Sequence, residues 1–352
     1  MFDYCPNLEK LKPYSVDEAD WDIKLDANES PCNLPPLVRE RILERMDYLA
    51  FNRYPDIEGR DLRVALAEGL GLTWQQVAIG NGSSELLLAL CQLFGGPGRS
   101  IAFPTPSFSM YGIYAQVTGS KALSIPLALE EVFDRDAVVA AVRKEDAKLL
   151  LLCNPNNPTG AVIDQEDIEY ILTQVSCPVV VDEAYYEFYG KSSIKLLGEY
   201  ENLIITRTFS KAYGLAATRA GYLMGNPEVV RLLEKVLMPY HVNAITQIAA
   251  ETVWLMRDQF EATIRQIVVE RKRMADALKE LPGIEVYPSQ TNFLLLKVAA
   301  HKICLENLAA AQIAVRAMGT GVLTNCLRVT VGTPIENDAF LTAMRKIAGG
   351  QL

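Results

Sequence analysis

Short apolar runs alternate with amphipathic stretches between about residues 75 and 225 of this chain. The runs have the length of strands, and those at 149–152 and 179–181 contain no polar residue. Strands without polar alternation are typical of a sheet that helices cover on both faces. The pattern therefore predicts an α/β fold with a mostly parallel, doubly covered sheet, whose strands fall at 77–79, 100–103, 148–153, 178–181 and 203–206.

The pattern changes on both sides of this region. Prolines interrupt the first 36 residues, and a helical pattern follows at 37–49. A long helical pattern runs from about 245 to 281, before strand-like segments at 284–287, 293–297 and 326–331. We expect an N-terminal arm, a large α/β domain, and a smaller α+β domain built from both chain ends, with boundaries at 1–36, at 51–250, and at 37–50 plus 251–352.

Composition narrows the class of protein. The chain has 352 residues, half of them hydrophobic, and a net charge of −9. It is longer than one core usually grows and too apolar for disorder. The acidic balance and the lack of a Lys/Arg run argue against a nucleic-acid partner. No apolar stretch approaches the roughly 18 residues of a membrane span and the N-terminus lacks a signal pattern, so we expect a cytoplasmic protein without a membrane partner.

Cysteine and histidine usage excludes several kinds of site. Seven cysteines form no C-x-x-C pair, which argues against a disulfide framework or a cysteine zinc site. His241 and His301 are the only histidines, so a three-histidine zinc site is impossible. No G-x-S-x-G motif accompanies them, as a serine hydrolase of that type requires. We expect no metal.

A glycine-rich turn at 80–85 lies between a predicted strand and an apolar helix. Gly82 lets the backbone turn tightly, and the N–H groups at the start of the helix, near Ser83 and Ser84, can hold a phosphate. Glu85 occupies the third glycine position of a dinucleotide fingerprint, so that assignment fails. On its own, the turn is equally consistent with a plain helix start.

Two further motifs end predicted strands. The Asn- and Pro-rich loop at 154–160 is stiff, and we expect Asn154 to point its amide into the crevice where open α/β sheets bind ligands. Asp182 ends the next strand, with Tyr185 three residues on. A buried carboxylate needs a cationic partner, such as a protonated heteroaromatic nitrogen. A helix cap and a rim tyrosine explain the same residues at least as well.

The segment at 206–221 supplies a lysine among phosphate-binding groups. Thr208, Ser210 and Arg219 provide two hydroxyls and a forked cation around Lys211. A lysine among cationic and apolar neighbours can lose its proton and act as a nucleophile. Phosphate donors, a carboxylate for a ring nitrogen, polar groups for a ring hydroxyl and a Schiff-base lysine together describe a pyridoxal phosphate site.

The order of these motifs, followed by Arg328-Val-Thr-Val-Gly, resembles the fold-type I, class-II aminotransferases, and in particular the histidinol-phosphate aminotransferase family. The resemblance spans about residues 26–334. It implies that Lys211 anchors pyridoxal 5'-phosphate in the large domain and shuttles a proton, while Asp182 keeps the pyridine nitrogen protonated. Tyr185 and Asn154 would bond the ring oxygen, and Tyr111 would stack on the ring.

The resemblance also implies a phosphate site and a homodimer. The cofactor phosphate would be held by Gly82, Ser83, Ser84, Thr208, Ser210 and Arg219, with Tyr54 reaching over from the second subunit. Arg316, taken as a helix residue, and Arg328 would grip the substrate phosphate. Tyr14, Tyr240 and Asn243 would line the cavity, and Asn28 would lie near its mouth.

The implied activity interconverts L-histidinol phosphate plus 2-oxoglutarate and imidazole acetol phosphate plus L-glutamate, in histidine biosynthesis. Two other enzymes on the same scaffold stay open, an aromatic amino-acid aminotransferase and a threonine-phosphate decarboxylase. A non-catalytic, cofactor-sensing module is disfavoured because the chain has no appended basic helix-turn-helix segment.

Overall fold

The computed structural model describes residues 6–9, 11, 13, 19–129, 133–319 and 321–349. The strands in these ranges are β1 (Ile23–Leu25), β2 (Val77–Asn81), β3 (Ser100–Thr105), β4 (Lys121–Pro126), β5 (Leu149–Cys153), β6 (Val179–Asp182), β7 (Leu203–Thr208), β8 (Ala220–Gly225), β9 (Ile284–Val286), β10 (Phe293–Val298), β11 (Ile313–Met318) and β12 (Cys326–Thr330). The helices are α1 (Pro36–Met46), α2 (Arg60–Leu70), α3 (Ser83–Phe94), α4 (Met110–Val117), α5 (Arg135–Lys144), α6 (Gln165–Gln174), α7 (Tyr186–Tyr189), α8 (Pro227–Leu233), α9 (Ala244–Leu255), α10 (Glu261–Lys279), α11 (His301–Ala310) and α12 (Pro334–Ala348).

The larger sheet has seven strands in the order β2-β8-β7-β6-β5-β3-β4. Neighbours from β7 to β4 run parallel, and only β8 is antiparallel to the strands beside it. All residues of β5, β6, β7 and β8 are buried. The predicted mostly parallel, doubly covered α/β sheet is therefore confirmed.

The leucine run of β5 shows why the sheet needs helices on both faces. Leu150 and Leu152 belong to one apolar core, whereas Leu149 and Leu151 belong to a second core. Successive side chains of a strand point to opposite faces, so an uninterrupted apolar strand must find two cores. Burial on both sides leaves the ends of such strands as the places where polar groups can gather.

The second sheet has five strands in the order β1-β11-β12-β10-β9. Its strand β1 comes from residues 23–25 and pairs in parallel with β11, so part of the predicted arm is in fact a sheet strand. The predicted helix from 245 to 281 is two helices, because a 3-10 turn at Arg257–Phe260 separates α9 from α10. The predicted boundary at 250/251 falls inside α9, which packs against α1. The division into domains otherwise stays a prediction.

No helix within the described ranges is long and apolar enough to cross a membrane. Over the same ranges, no group of three or more His, Cys, Asp or Glu side chains is arranged to hold a metal ion.

A polar junction joins the two sheets beside the loop that follows β5. The backbone N–H of Gln290 donates to the carbonyl of Gly160 over 2.9 Å. Arg271 supports this junction by donating to the carbonyl of Thr291 over 2.7 Å. Gly160 has φ +76°, and a Cβ at this position would lie 2.5–2.8 Å from atoms of Ser289, including its Cα. Only glycine allows the backbone at position 160 to lie this close to Ser289.

We expect Gly160→Ala to lower the free energy of unfolding by about 2–4 kcal/mol, because the new methyl group meets backbone that cannot move freely. Urea unfolding measures the loss. Gly190→Ala is the matched control, since Gly190 has φ +79° with nothing within 4 Å of the added Cβ. It should cost only about 1 kcal/mol, the strain of the backbone angle alone. Equal losses in the two variants would contradict a tight junction.

Candidate active site

The carboxyl ends of three adjacent parallel strands bring the sequence motifs together. Cys153 at the end of β5 pairs with Asp182 of β6, which pairs in turn with Thr206 of β7. The loops that follow these strands carry Asn157, Tyr185 and Lys211. Ligands of open α/β sheets bind at this edge.

Asp182 is a buried carboxylate with two side-chain hydrogen-bond donors. Its Oδ2 accepts from the Tyr111 hydroxyl over 2.8 Å, and its Oδ1 accepts from Thr206 Oγ1 over 3.2 Å. Burial raises the pKa of Asp182 to about 6, although the bond from Tyr111 acts to lower it. Among the described residues it has no ion-pair partner. A cationic ligand group beside it would stabilise the charged form.

Lys211 lies nearby with an amine that is easily deprotonated. Its Nζ donates to the carbonyl of Ala27 over 3.0 Å. Burial lowers the pKa of Lys211 to about 7, and the positive charge of Arg328 lowers it further. A substantial fraction of the amine is therefore neutral near pH 7, as a nucleophile or a proton acceptor requires.

Tyr185 is buried with its ring edge-on to Phe293, at 5.2 Å between ring centres. Its hydroxyl oxygen accepts from Asn28 Nδ2 over 3.0 Å and from Asn157 Nδ2 over 3.3 Å. Burial raises the pKa of Tyr185 to about 12, while the charge of Arg328 and the Asn28 amide act to lower it. The phenol is thus a neutral donor at physiological pH.

The prediction that Asn154 points its amide into the crevice is wrong. Its Nδ2 donates to the carbonyl of Ile163 over 3.0 Å, and its Oδ1 accepts from the N–H of Ile163 over 2.9 Å. This amide closes the loop. Asn157 lies in the crevice instead, with Oδ1 accepting from Arg328 Nη1 over 2.7 Å. The loop's asparagine content was the right signal, but the sequence does not tell which amide turns inward.

The prediction that Tyr111 stacks on a ring is also wrong. Tyr111 is fully buried, its hydroxyl is bonded to Asp182, and Phe103 and Phe108 contact it edge-on. It has no open face for a ligand. Phe108 is only partly buried and is therefore the aromatic ring here with open surface.

An anion site forms where α3 begins. The first turn of α3 starts at Ser83, and Gly82 before it supplies no side-chain cap. Arg219 Nη1 donates to Ser210 Oγ over 3.3 Å, and Thr208 Oγ1 accepts from the N–H of Ser210 over 3.1 Å. A Cβ on Gly82 would lie 2.7 Å from Arg219 Nη2, so the guanidinium lies directly against the turn. A helix N-terminus beside a guanidinium favours a phosphate.

Two arginines face each other across the second sheet. Arg316 of β11 is directly opposite Arg328 of β12, so both side chains lie on one face. Arg316 is therefore a strand residue, not the helix residue predicted. Arg328 Nη2 donates to the carbonyl of Asp26 over 2.7 Å. Arg316 lines a cavity of about 440 Å³ that Trp21 and Asp26 also border.

The remaining predicted substrate residues occupy different places. Asn28 is buried and bonded to Tyr185, so it does not lie near the mouth of the cavity. Asn243 caps α9, with Oδ1 accepting from the N–H of Thr246 over 2.9 Å. Tyr240 stacks on Tyr54 with ring centres 4.5 Å apart, and both rings are exposed. Tyr14 lies outside the described residues.

Sequence reasoning missed a buried ion pair behind the site. Arg207 Nε donates to Glu183 Oε2 over 2.9 Å, and both side chains are buried. Because side chains alternate along β6 and β7, Asp182 and Thr206 meet on one face while Glu183 and Arg207 meet on the other. Arg207 is therefore not the cation that would pair with Asp182.

Pyridoxal phosphate fits the residues present. Asp182 offers a buried carboxylate for a protonated ring nitrogen, and Lys211 offers a nucleophilic amine. Tyr185 and Asn157 offer donors for a ring oxygen, and the Gly82 turn with Arg219 offers a phosphate cradle.

Comparison with known proteins agrees with this fit. A model of the family described as aminotransferase class I and II matches residues 21–344. The histidinol-phosphate aminotransferase of Thermococcus gammatolerans is 42% identical over 344 residues, which cover 98% of this chain and 97% of the relative. Histidinol-phosphate aminotransferase 1 of Carboxydothermus hydrogenoformans is 42% identical over 340 residues, 96% of either chain. The crystal structure of histidinol-phosphate aminotransferase from Sinorhizobium meliloti in complex with pyridoxal-5'-phosphate has a TM-score of 0.90 at 25% identity, covering 99% of this chain and 98% of that chain.

The depressed pKa of Lys211 predicts a pH-dependent gain in stability for Lys211→Met in cofactor-free protein. The folded-state pKa of about 7 lies below the ordinary value of 10.5. The unfolded chain therefore gains a proton first as the pH falls, and wild type loses stability relative to the variant between about pH 10.5 and 7. We expect the difference in unfolding free energy to grow by about 4–5 kcal/mol between pH 10.5 and 7, and to change little below about pH 6.

Urea unfolding at pH values from 6 to 9.5 measures this difference. Lys191→Met, at an exposed position, is the control and should show a difference that does not vary with pH. A constant difference for Lys211→Met as well would refute a destabilised ammonium group at this site.

Proposed function

The chain belongs to the class I and II aminotransferase family, and we propose that it is a cytoplasmic, pyridoxal-phosphate-dependent transaminase of histidine biosynthesis. It interconverts L-histidinol phosphate plus 2-oxoglutarate and imidazole acetol phosphate plus L-glutamate. The observation that carries this proposal is the convergence of the Lys211 amine, the buried Asp182 carboxylate and the Arg219 phosphate cradle at one sheet edge. The names of relatives similar over nearly the whole chain support the choice of substrates.

The cofactor would be held at four points. Lys211 Nζ anchors it, Asp182 bonds its ring nitrogen, and Tyr185 and Asn157 bond its ring oxygen. The cradle of Gly82, Ser83, Ser84, Thr208, Ser210 and Arg219 takes its phosphate. When bound, pyridoxal phosphate supplies an electron sink for the electron pair left when a proton leaves the amino-bearing carbon of the substrate.

The chain's own part in the chemistry is to move that proton. Once the substrate amine has taken its place on the cofactor, the freed Lys211 Nζ would accept the proton from the substrate carbon and return it at a neighbouring position. Its pKa of about 7 suits both directions, because efficient acid–base catalysis needs a pKa close to the working pH. Tyr185 and Asp182 are buried, so little water would reach the groups that bond the cofactor ring.

Arg328 and Arg316 would bind the substrate phosphate. Arg328 now donates to two neutral oxygens, those of Asn157 and Asp26. A phosphate can accept two parallel hydrogen bonds from a guanidinium and also neutralise its charge, which a neutral carbonyl cannot do, so a phosphate competes well for these donors. Two guanidinium groups on one face match a doubly charged group better than a single carboxylate.

We further propose a homodimer in which Tyr54 acts in trans. Large apolar side chains are exposed along the segment between α1 and α2, including Tyr48 at 91%, Phe51 at 73% and Tyr54 at 79%. Such clustering marks a surface that another chain covers. Leu43, Met238, Tyr240 and Ile245 continue the patch. The covering chain would be a second copy, whose cofactor phosphate Tyr54 reaches.

The visible absorption spectrum of the purified protein tests the function. We expect a yellow protein whose band bleaches when L-histidinol phosphate is added without a keto acid, since the amino group passes to the cofactor. L-Phenylalanine and L-tyrosine at the same concentration are the controls and should bleach it at least tenfold more slowly. Faster bleaching by these amino acids, or release of carbon dioxide from threonine phosphate, would favour the other enzymes on this scaffold. Protein that stays colourless with added pyridoxal phosphate would refute the proposal.

Mixing two inactive variants tests whether Tyr54 acts in trans. Lys211→Ala and Tyr54→Ala should each lose most activity. If Tyr54 acts in trans, one site of a mixed dimer carries both defects and the other site carries neither. Random exchange of equal amounts makes about half of the dimers mixed, and half of their sites are intact, so about a quarter of wild-type activity should return. Restoration close to zero, with mixed dimers verified by differential tags, would place Tyr54 in its own subunit's site.

A further inference from the structure

Asn28 joins the two sheets at the hydroxyl of Tyr185. We propose that Asn28 is a positioning residue, which directs the hydroxyl hydrogen of Tyr185 away from the protein and strengthens it as a donor to the cofactor's ring oxygen. This inference rests on the proposed function and deepens it, because it assigns a residue that acts on the cofactor only through Tyr185.

The orientation of the Asn28 amide follows from its partner Thr330. The backbone N–H of Asn28 donates to Thr330 Oγ1 over 2.9 Å. The hydroxyl hydrogen of Thr330 is thereby free to donate to Asn28 Oδ1, which lies 3.3 Å away. The oxygen of the amide thus faces Thr330, and its nitrogen faces Tyr185 over 3.0 Å. Asn28 is therefore a donor to the phenol oxygen.

The orientation of the Asn157 side-chain amide follows from its bond with Arg328. A guanidinium can only donate, so the Asn157 atom 2.7 Å from Arg328 Nη1 must be the oxygen. Its nitrogen then faces the Tyr185 hydroxyl over 3.3 Å. Two N–H donors occupy both lone pairs of the phenol oxygen. The hydroxyl hydrogen points in the remaining direction, where none of the residues that the structure describes offers an acceptor.

Asn28 is held firmly enough to set this direction. It is 1% exposed, and its carbonyl accepts from Asn292 Nδ2 over 3.0 Å. Its φ of +53° is one that asparagine tolerates better than most residues. Thr330 and Asn292 belong to the second sheet and the loop before β10, whereas Tyr185 follows β6 of the larger sheet. The bond therefore fixes the phenol from the opposite side of the crevice.

The donor from Asn28 also strengthens Tyr185 as an acid. Burial raises the pKa of Tyr185, and the Asn28 amide is among the groups that lower it again. A more acidic phenol makes a stronger bond to a negatively charged ring oxygen. Because this bond stabilises the deprotonated form of the bound cofactor, its loss should raise the pH midpoint of the cofactor's visible band.

Asn28→Asp tests the proposal with almost no change of shape. The carboxylate accepts the phenol hydrogen instead of donating to the oxygen, so we expect the midpoint of the visible band to rise by about one pH unit. We expect kcat to fall about tenfold and KM for the amino donor to change less than threefold. Asn28→Gly, which accepts the positive φ and lacks the amide, should shift the midpoint in the same direction.

A double-mutant cycle shows whether Asn28 acts through Tyr185. Tyr185→Phe should raise the midpoint, and adding Asn28→Asp should change it by less than about 0.3 pH unit further. Asn202→Asp is the structural control, because Asn202 Nδ2 donates to the carbonyls of Leu172 and Val175 over 3.2 Å just before β7, at the other end of that strand from the site. It should lower thermal stability without moving the midpoint. If wild type and both Asn28 variants had equal midpoints, or if the midpoint shifts of Asn28→Asp and Tyr185→Phe added fully, the proposed role of Asn28 would be wrong. The proposed function would not be affected by that result. Wild type without a visible band would overturn the proposed function and this inference together.

Discussion

The site depends on a buried carboxylate for which the described part of the chain provides no counter-ion. Asp182 ends a strand that is covered on both faces, so its charge is removed from water, and its hydrogen bonds to Tyr111 and Thr206 offset only part of the cost. The cost that remains raises the pKa of Asp182 to about 6. The neighbouring strands bury enough apolar surface to carry this cost, since every residue of β5 and every residue of β6 before Asp182 is apolar and buried.

Lys211 presents the opposite electrostatic problem in the same crevice. Burial and the charge of Arg328 disfavour its ammonium form, just as burial disfavours the Asp182 carboxylate form. A ligand with a cationic ring nitrogen, a carbonyl carbon and a phosphate relieves both groups and the guanidinium of Arg219. Binding of such a cofactor thus removes the free-energy cost of burying these groups, and this gain favours binding. The bound cofactor in turn stabilises the folded chain by mass action.

The sequence predicts those strands and helices that have a strong local hydrophobic pattern. It does not predict side-chain directions or strands that depend on tertiary contacts. The apolar runs of β5 and β6 and the motifs at their ends were sufficient for the larger sheet and for its functional edge. Strand β11 has a mixed, mostly half-buried pattern without clear alternation, and the prediction of a helix at Arg316 is wrong for that reason. The predictions for Asn154 and Tyr111 are wrong because the direction of a side chain in a loop, or at the start of a helix such as α4, depends on partners such as Ile163 and Asp182. Those partners are distant or nonperiodic in sequence, and no local rule identifies them.

Polar bonds at the junction of the sheets serve both stability and the site. The bonds from Arg328 to Asn157 and from Asn28 to Tyr185 link groups on opposite sides of the crevice. An apolar junction would hold the sheets together equally well, but it would leave no donors for a ligand oxygen. Since each of these amides has all its polar atoms in use, substituting one disturbs its neighbours as well. Loss of activity alone therefore cannot separate positioning from folding at this junction, and a readout confined to the electronic state of the bound cofactor can.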